Sequence, residues 1–222
     1  MRSPARICAA VCGLAVVALL LVSAFKRTDE SFTLGVAAAL PVVPLDPGQE
    51  ACQERIRVPP SGNFDRVAFK VGTYGRPGPE LAVEIRDSAS RRVLARGTLA
   101  AGYADVQREP QHVVRVGEVP ASSSVAACVR NDGPTRMAIF GNPDAASLPT
   151  TAEIDGVGAG VDLALRFERS PRSLLSLVGA FAARAALFKV SWFGAWTFWL
   201  LGALVLVAVP VLLVRAVRGL EE

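Results

Sequence analysis

Histidine is almost missing from this chain: of 222 residues, His112 alone carries an imidazole. A zinc site or a hydrolase triad would have to be built on it. No second His, Cys or acidic cluster has ligand spacing with His112, and no serine sits in a G-x-S-x-G elbow. Cysteine is sparse as well. Of the four, Cys8 and Cys12 lie one helical turn apart inside an apolar run and read as small apolar residues, which leaves Cys52 and Cys128 as the only two in the polar middle of the chain. Charge of one sign is nowhere gathered. The formal net charge is +4, yet arginines and acids interleave (Glu84, Arg86, Asp87; Arg166, Glu168, Arg169), as on a solvated surface, so no nucleic-acid partner is expected. The stretch from Gly156 to Gly160 has a G-x-G-x-G look, but a strand pattern follows it rather than a helix, so it reads as a flexible connector and not a phosphate cradle. No metal, cofactor or catalytic residue is expected.

What the chain does have is two long apolar runs, one near each end. The first, Ile7 to Phe25, follows Arg2 and Arg6, an arrangement that keeps the start of the chain inside and sends the next segment across the membrane. Val22-Ser23-Ala24 fits a signal-peptidase site, so retention as an anchor and cleavage after Ala24 both stay open. The second run, Phe193 to Val214, has 22 residues without a charge and, at about 1.5 Å per residue, covers a hydrocarbon core of ~30 Å. Trp192, Trp196 and Trp199 stand at its start, where amphipathic rings settle at the headgroup level. Lys26 and Arg27 follow the first run, Arg172, Arg184 and Lys189 precede the second and Arg215 and Arg218 close it, so the flanks are nearly balanced and charge alone does not orient the chain. The cysteines do: an even pair in a translocated domain reads as a Cys52–Cys128 disulfide. Two buried free thiols are the alternative.

The expected organisation is an anchor or signal sequence over 1–25, an extended spacer over 26–50, a β-sandwich ectodomain over 51–168, an interfacial amphipathic helix over 170–190, a transmembrane helix over 193–214 and a cytoplasmic tail over 215–222. The spacer reading rests on the proline-rich ALPVVPLDPGQE. From Ala51 onward, short runs rich in Val, Ile and Phe recur about every ten residues. Strands are expected near 51–58, 65–73, 80–87, 92–99, 111–119, 124–130, 135–141 and 161–168. Val67, Phe69 and Val71 alternate with Arg66, Ala68 and Lys70, and Leu81, Val83 and Ile85 alternate with Glu80, Ala82, Glu84 and Arg86, which gives each strand one dry face. Ser170-Pro171 reads as an N-cap followed by proline at the first helical position. Leu174, Val178, Phe181, Ala185 and Phe188 then recur at helical spacing, so the segment lies on the outer leaflet or, in the alternative, crosses as half of a hairpin.

Phe69 to Arg76, the strand ending Glu84-Ile85-Arg86-Asp87, Val93 to Gly97, Ala127 to Asn131 and Ile139 to Asn142 together resemble the jelly-roll accessory domains of actinobacterial cell-envelope proteins, some associated with membrane glycosyltransferases. The resemblance covers roughly residues 52–142. It implies a galactose-binding-like all-β sandwich, with an envelope glycan and a membrane glycosyltransferase or polymer exporter as partners beside the lipid bilayer. A sugar needs an aromatic face for stacking and planar hydrogen-bonding groups beside it, carried on loops at a sandwich edge. Tyr74 and Arg76 meet that need at a strand end, with Tyr103, Asp105 and Asn142 from other loops. Two other readings stand beside glycan binding. One is a scaffold that docks a membrane enzyme without touching sugar. The other is an envelope glycan hydrolase or transferase drawing on Asp65, Glu80, Glu84, Asp87 or Asp105.

Overall fold

The computed structural model describes residues 4–143, 152–186 and 194–219, which divide into two units: residues 29–170, and residues 1–28 with 171–222. The first is a β-sandwich.

Its strands are β1 (Arg27–Thr33), β2 (Leu40–Leu45), β3 (Glu50–Arg57), β4 (Phe64–Phe69), β5 (Val71–Gly72), β6 (Leu81–Asp87), β7 (Val93–Leu99), β8 (His112–Val119), β9 (Ser124–Asn131), β10 (Met137–Asn142), β11 (Ala152–Ile154), β12 (Val157–Gly158), β13 (Asp162–Leu163) and β14 (Arg166–Ser173). One layer is a six-stranded sheet in the order β12-β11-β3-β9-β6-β7. Facing it are a four-stranded sheet, β1-β14-β4-β8, and a sheet of β13-β10-β2 with β5 also on β10. The inward rows of all three sheets meet in one apolar core. Leu81, Val83 and Ile85 point into it from β6, while Val67, Phe69 and Val71 do so from β4 and β5, as the period of two requires. The β6–β7 hairpin is closed by Asp87, whose Oδ1 accepts hydrogen bonds from Ala89 N, Ser90 N and Ser90 Oγ. β7 then runs against β8 so closely that a side chain at Gly97 would stand 2.1 Å from the Arg115 carbonyl oxygen.

Three expectations are corrected here. Residues 26–50 are not a spacer, because β1 and β2 lie within them and Phe32, Val43 and Leu45 are core residues. Phe32 stacks on Phe167 at 4.5 Å between ring centroids, and Phe64 tilts against the same ring at 4.7 Å. The connector at 156–160 is in part a hairpin. Asp155 and Gly156 both have positive φ (49° and 80°) between β11 and β12, the conformation of a tight two-residue turn. The Asp155 carboxylate also accepts from Gln49 Nε2 and Glu50 N, which fastens that hairpin to the start of β3. Lastly, Ser170 and Pro171 do not open a helix. They belong to β14, and α2 (Leu174–Ala186) begins after Ser173, whose Oγ accepts from Ser176 N at 3.3 Å. Proline's fixed φ suits an extended segment as well as a first helical turn.

Cys52 and Cys128 stand directly opposite each other on β3 and β9 and are joined by a disulfide. Their neighbours Ala51 and Val129 point into the core, so the disulfide lies on the outer face of the six-stranded sheet, where with Ala126 it forms a small cluster of its own. The acids and arginines around it pair among themselves. The Arg86 guanidinium donates to both Glu50 oxygens at 2.7 and 2.6 Å and to Glu84 Oε2 at 2.8 Å, while Arg130 Nε donates to Asp132 at 2.6 Å.

Among the described residues, the second unit contains two helices long and apolar enough to cross a membrane: Pro4–Phe25 (α1), of 22 residues, and Trp196–Gly219, of 24 residues. The latter comprises α3 (Ala195–Ala203) from its second residue, one π-helical turn (Leu204–Ala208) and α4 (Val209–Gly219). Pro210 has no N–H for the ladder and its ring would crowd the preceding turn, so the widening just ahead of it has a local cause. Ala9 to Val17 of α1 and residues between Leu206 and Arg218 line one groove. The first N–H of α2 donates to the Lys26 carbonyl at 3.0 Å. Leu174, Leu175, Val178 and Phe181 on α2 are exposed, as are Trp196 and Trp199 on α3; Trp192 lies outside the described residues.

Candidate functional site

A cleft of about 550 Å3 opens between the β5–β6 loop (73–80) and the β7–β8 loop (100–111). Gly78 N donates to Tyr103 O at 2.9 Å and Gly102 N to Gly78 O at 2.8 Å, which fastens the two loops together, and Val106 N donates to Val71 O of β5 at 3.1 Å. Phe140 of β10 and Pro41 of β2 line the cleft beside Gly72.

Thr73 to Arg76 form a tight turn in which Arg76 N donates to Thr73 O, and both central residues, Tyr74 and Gly75, have positive φ (56° and 76°). Glycine takes that conformation freely. A bulky aromatic residue does not, and an outlier of this kind is a starting point for a functional hypothesis. The Tyr74 ring is not tucked beneath its loop, since 60% of the residue is exposed at the cleft.

Asp105 holds this turn from the other loop. Its Oδ2 accepts from Thr73 N at 2.7 Å, Thr73 Oγ1 at 3.0 Å and Gly75 N at 3.4 Å, and its Oδ1 accepts from Gln107 N at 3.3 Å. Desolvation raises the carboxyl's pKa, but the hydrogen bonds from Thr73, Gln107 and Gly75 outweigh it and hold the group below the usual carboxylate range. With its oxygens committed to backbone, Asp105 is a positioning residue.

Tyr103 is a wall. Its ring covers Gly78, where an added Cβ would stand 2.2 Å from it, and packs on His112 at 4.7 Å between centroids. Burial pushes its phenol pKa well up. Arg76 and Arg108 remain exposed at the rim, with no ion pair among the described residues; in particular, Arg76 does not pair with Glu80.

Four of the five expected residues, Tyr74, Arg76, Tyr103 and Asp105, therefore line one cleft, and Asn142 does not. Asn142 ends β10 opposite Asp162. Sequence reasoning missed Phe140 and Arg108. The signal for Phe140 was its parity: Ile139 points into the core, so Phe140 is an aromatic residue on the outer face of its strand. Arg108 had no such signal. The carboxylates considered for glycan hydrolysis are not assembled there. Glu84 pairs with Arg86 and Arg96, Asp65 with Arg66, and Asp87 closes its hairpin. Glu50, Cys52 and Cys128 have metal-ligand spacing, but both sulfurs are engaged in the disulfide.

No family model matches this chain, and no curated protein does. Among solved structures, it is similar to the module CsCBM6-3 from Clostridium stercorarium, determined in complex with cellobiose. Identity is 13%, the match covers 53% of this chain and 92% of that one, and the TM-score is 0.30. A second family 6 carbohydrate-binding module, whose binding sub-sites were dissected by crystallography and calorimetry, matches at 12% identity over 54% of this chain and 95% of its own, with a TM-score of 0.28. Likenesses this slight carry no functional weight, and the cleft has to be read from its own residues.

Proposed function

We propose that this chain is a membrane-anchored protein whose extracytoplasmic β-sandwich binds a cell-envelope glycan in the Tyr74 cleft. The observation that carries the reading is the Tyr74 ring, exposed at the cleft in a strained turn that Asp105 holds in place. An aromatic face so presented suits the apolar face of a sugar ring. Arg76 and Arg108 supply planar donors at the rim, and the cleft's one carboxylate is already engaged, so an acidic glycan fits better than a neutral one. The sandwich acts by binding and not by turnover.

In this reading both termini are cytoplasmic, with Arg6, Arg215 and Arg218 on that side, and the sandwich is outside, a placement that its disulfide supports. The exposed apolar residues of α2 suit the outer leaflet. The membrane glycosyltransferase or exporter that such a subunit would assist is implied by the family resemblance alone.

The test is binding of the full chain, purified in detergent, to a panel of acidic and neutral bacterial envelope glycans. Saturable binding to an acidic glycan that Tyr74→Ala abolishes is the expected result. Absence of binding to every member of the panel would overturn the reading and favour the scaffold alternative, to which the exposed face of α2 also lends itself.

A further inference from the structure

We propose that the groove between α1 and α4 is a binding site for an anionic phospholipid, with an acyl chain lying along the groove and the headgroup phosphate held by Arg215 and Arg218. The groove is a shallow, open one of about 560 Å3, in the size range of small-molecule sites. α1 turns Cys12, Gly13 and Val16 toward it, a spacing that keeps them on one helix face, and Pro210 and Val214 form the opposite wall. Gly13 is what leaves the space open: nothing lies within 4 Å of where its Cβ would stand. Such a wall offers an alkyl chain dispersion contacts and no hydrogen bonds.

Charge selects the lipid class. Arg215 and Arg218 line the same groove at its α4 end, three residues apart on one helix face. The described residues of this unit include no Asp or Glu, so among them nothing offers the groove's arginines a carboxylate. Basic pockets between helices on the cytoplasmic side of a membrane are suited to acidic headgroups. This inference requires α1 to be retained, and it is independent of glycan binding.

The full chain, purified in a mild detergent and stripped of lipid, would be titrated with phosphatidylglycerol and with phosphatidylcholine of the same acyl chains, and bound lipid counted by native mass spectrometry. The proposal expects one phosphatidylglycerol per chain, retained about tenfold or more over phosphatidylcholine because two arginines face the phosphate. Gly13→Leu fills the groove and should weaken both lipids. Arg215→Gln with Arg218→Gln leaves the groove intact and should remove only the headgroup preference, so a folding defect in the first variant leaves the second decisive. Equal retention of the two lipids, or a preference unaltered by the arginine substitutions, would overturn the site. So would Cys12-to-Cys12 cross-linking that anionic lipid does not suppress, since a second copy would then fill the groove, and so would a mass showing loss of residues 1–24.

Discussion

On the outer face of the six-stranded sheet, the charged side chains answer one another: Arg86 is held by Glu50 and Glu84, and Arg130 by Asp132. At the cleft, Asp105 is fully engaged by its own loops, while Arg76, Arg108 and the Tyr74 ring are exposed, and the two arginines have no ion pair among the described residues. Both surfaces are polar and both carry aligned donors, but only one has donors to spare. An exposed pair such as Arg130–Asp132 contributes about 0–1 kcal/mol, whereas Arg86, Glu50 and Glu84 are largely buried and satisfy one another, so this face is closed on itself above the disulfide. The cleft inverts that arrangement, with its anion spent on holding a strained aromatic turn and its cations left free. That difference is the basis for reading one face as structure and the other as a site.

The largest expected effect separates the two surfaces. Replacing Cys52 and Cys128 by alanine opens a constraint between residues 76 apart, worth roughly 4 kcal/mol on the chain-entropy model. Thermal unfolding of the full chain in detergent should show the loss, whereas glycan binding well below the transition should be unchanged. If binding falls in proportion to stability, the two surfaces are not independent.

A smaller effect belongs to Asp105. Asp105→Ala leaves the amides of Thr73, Gly75 and Gln107 without their acceptor and should cost about 1–3 kcal/mol while releasing the Tyr74 turn. The sign with pH follows from the lowered carboxyl. Its contribution is complete above the ordinary carboxylate value and is lost as pH falls through the lower folded value. The stability gap between wild type and Asp105→Ala should therefore be constant near neutrality and close as pH drops below about 4. A gap that persists in acid would mean that the side chain's packing matters more than its charge.

The dry faces of the central strands were legible because alternation is a local signal, and Leu81, Val83 and Ile85 needed nothing else to be placed. β1 and β2 were hidden. Pro41 and Pro44 imitate a linker, and they are tolerated because β2 is an edge strand beyond β10 with no ladder to donate to on its far side. β1 is also an edge strand, and its value to the fold lies in Phe32 reaching Phe167, a contact across more than a hundred residues that no local pattern announces. Asp155-Gly156 was a readable turn signature, overlooked beside the glycines that follow. At the cleft, residue type pointed to Tyr74, Arg76, Tyr103 and Asp105, but their division of labour did not show. Whether a carboxylate meets a ligand or a backbone amide 30 residues away depends on how two loops pack, and only the folded chain fixes that.

The smallest expected effect sharpens the distinction between a strained residue that serves stability and one that serves binding. Tyr74 at φ 56° carries a steric cost of about 1–2 kcal/mol that glycine would escape. Glycine gives back about 0.5–1 kcal/mol through the greater freedom of the unfolded chain, and the exposed ring forfeits little packing when removed. Tyr74→Gly should therefore be neutral to more stable than wild type by up to about 1 kcal/mol, and yet fail to bind glycan. Denaturant titration beside a binding isotherm would read both at once. A loss of stability would show that the ring packs usefully after all and would remove the reason for assigning it to a ligand; a gain in stability with loss of binding would mean that the strain is retained for the sake of the site.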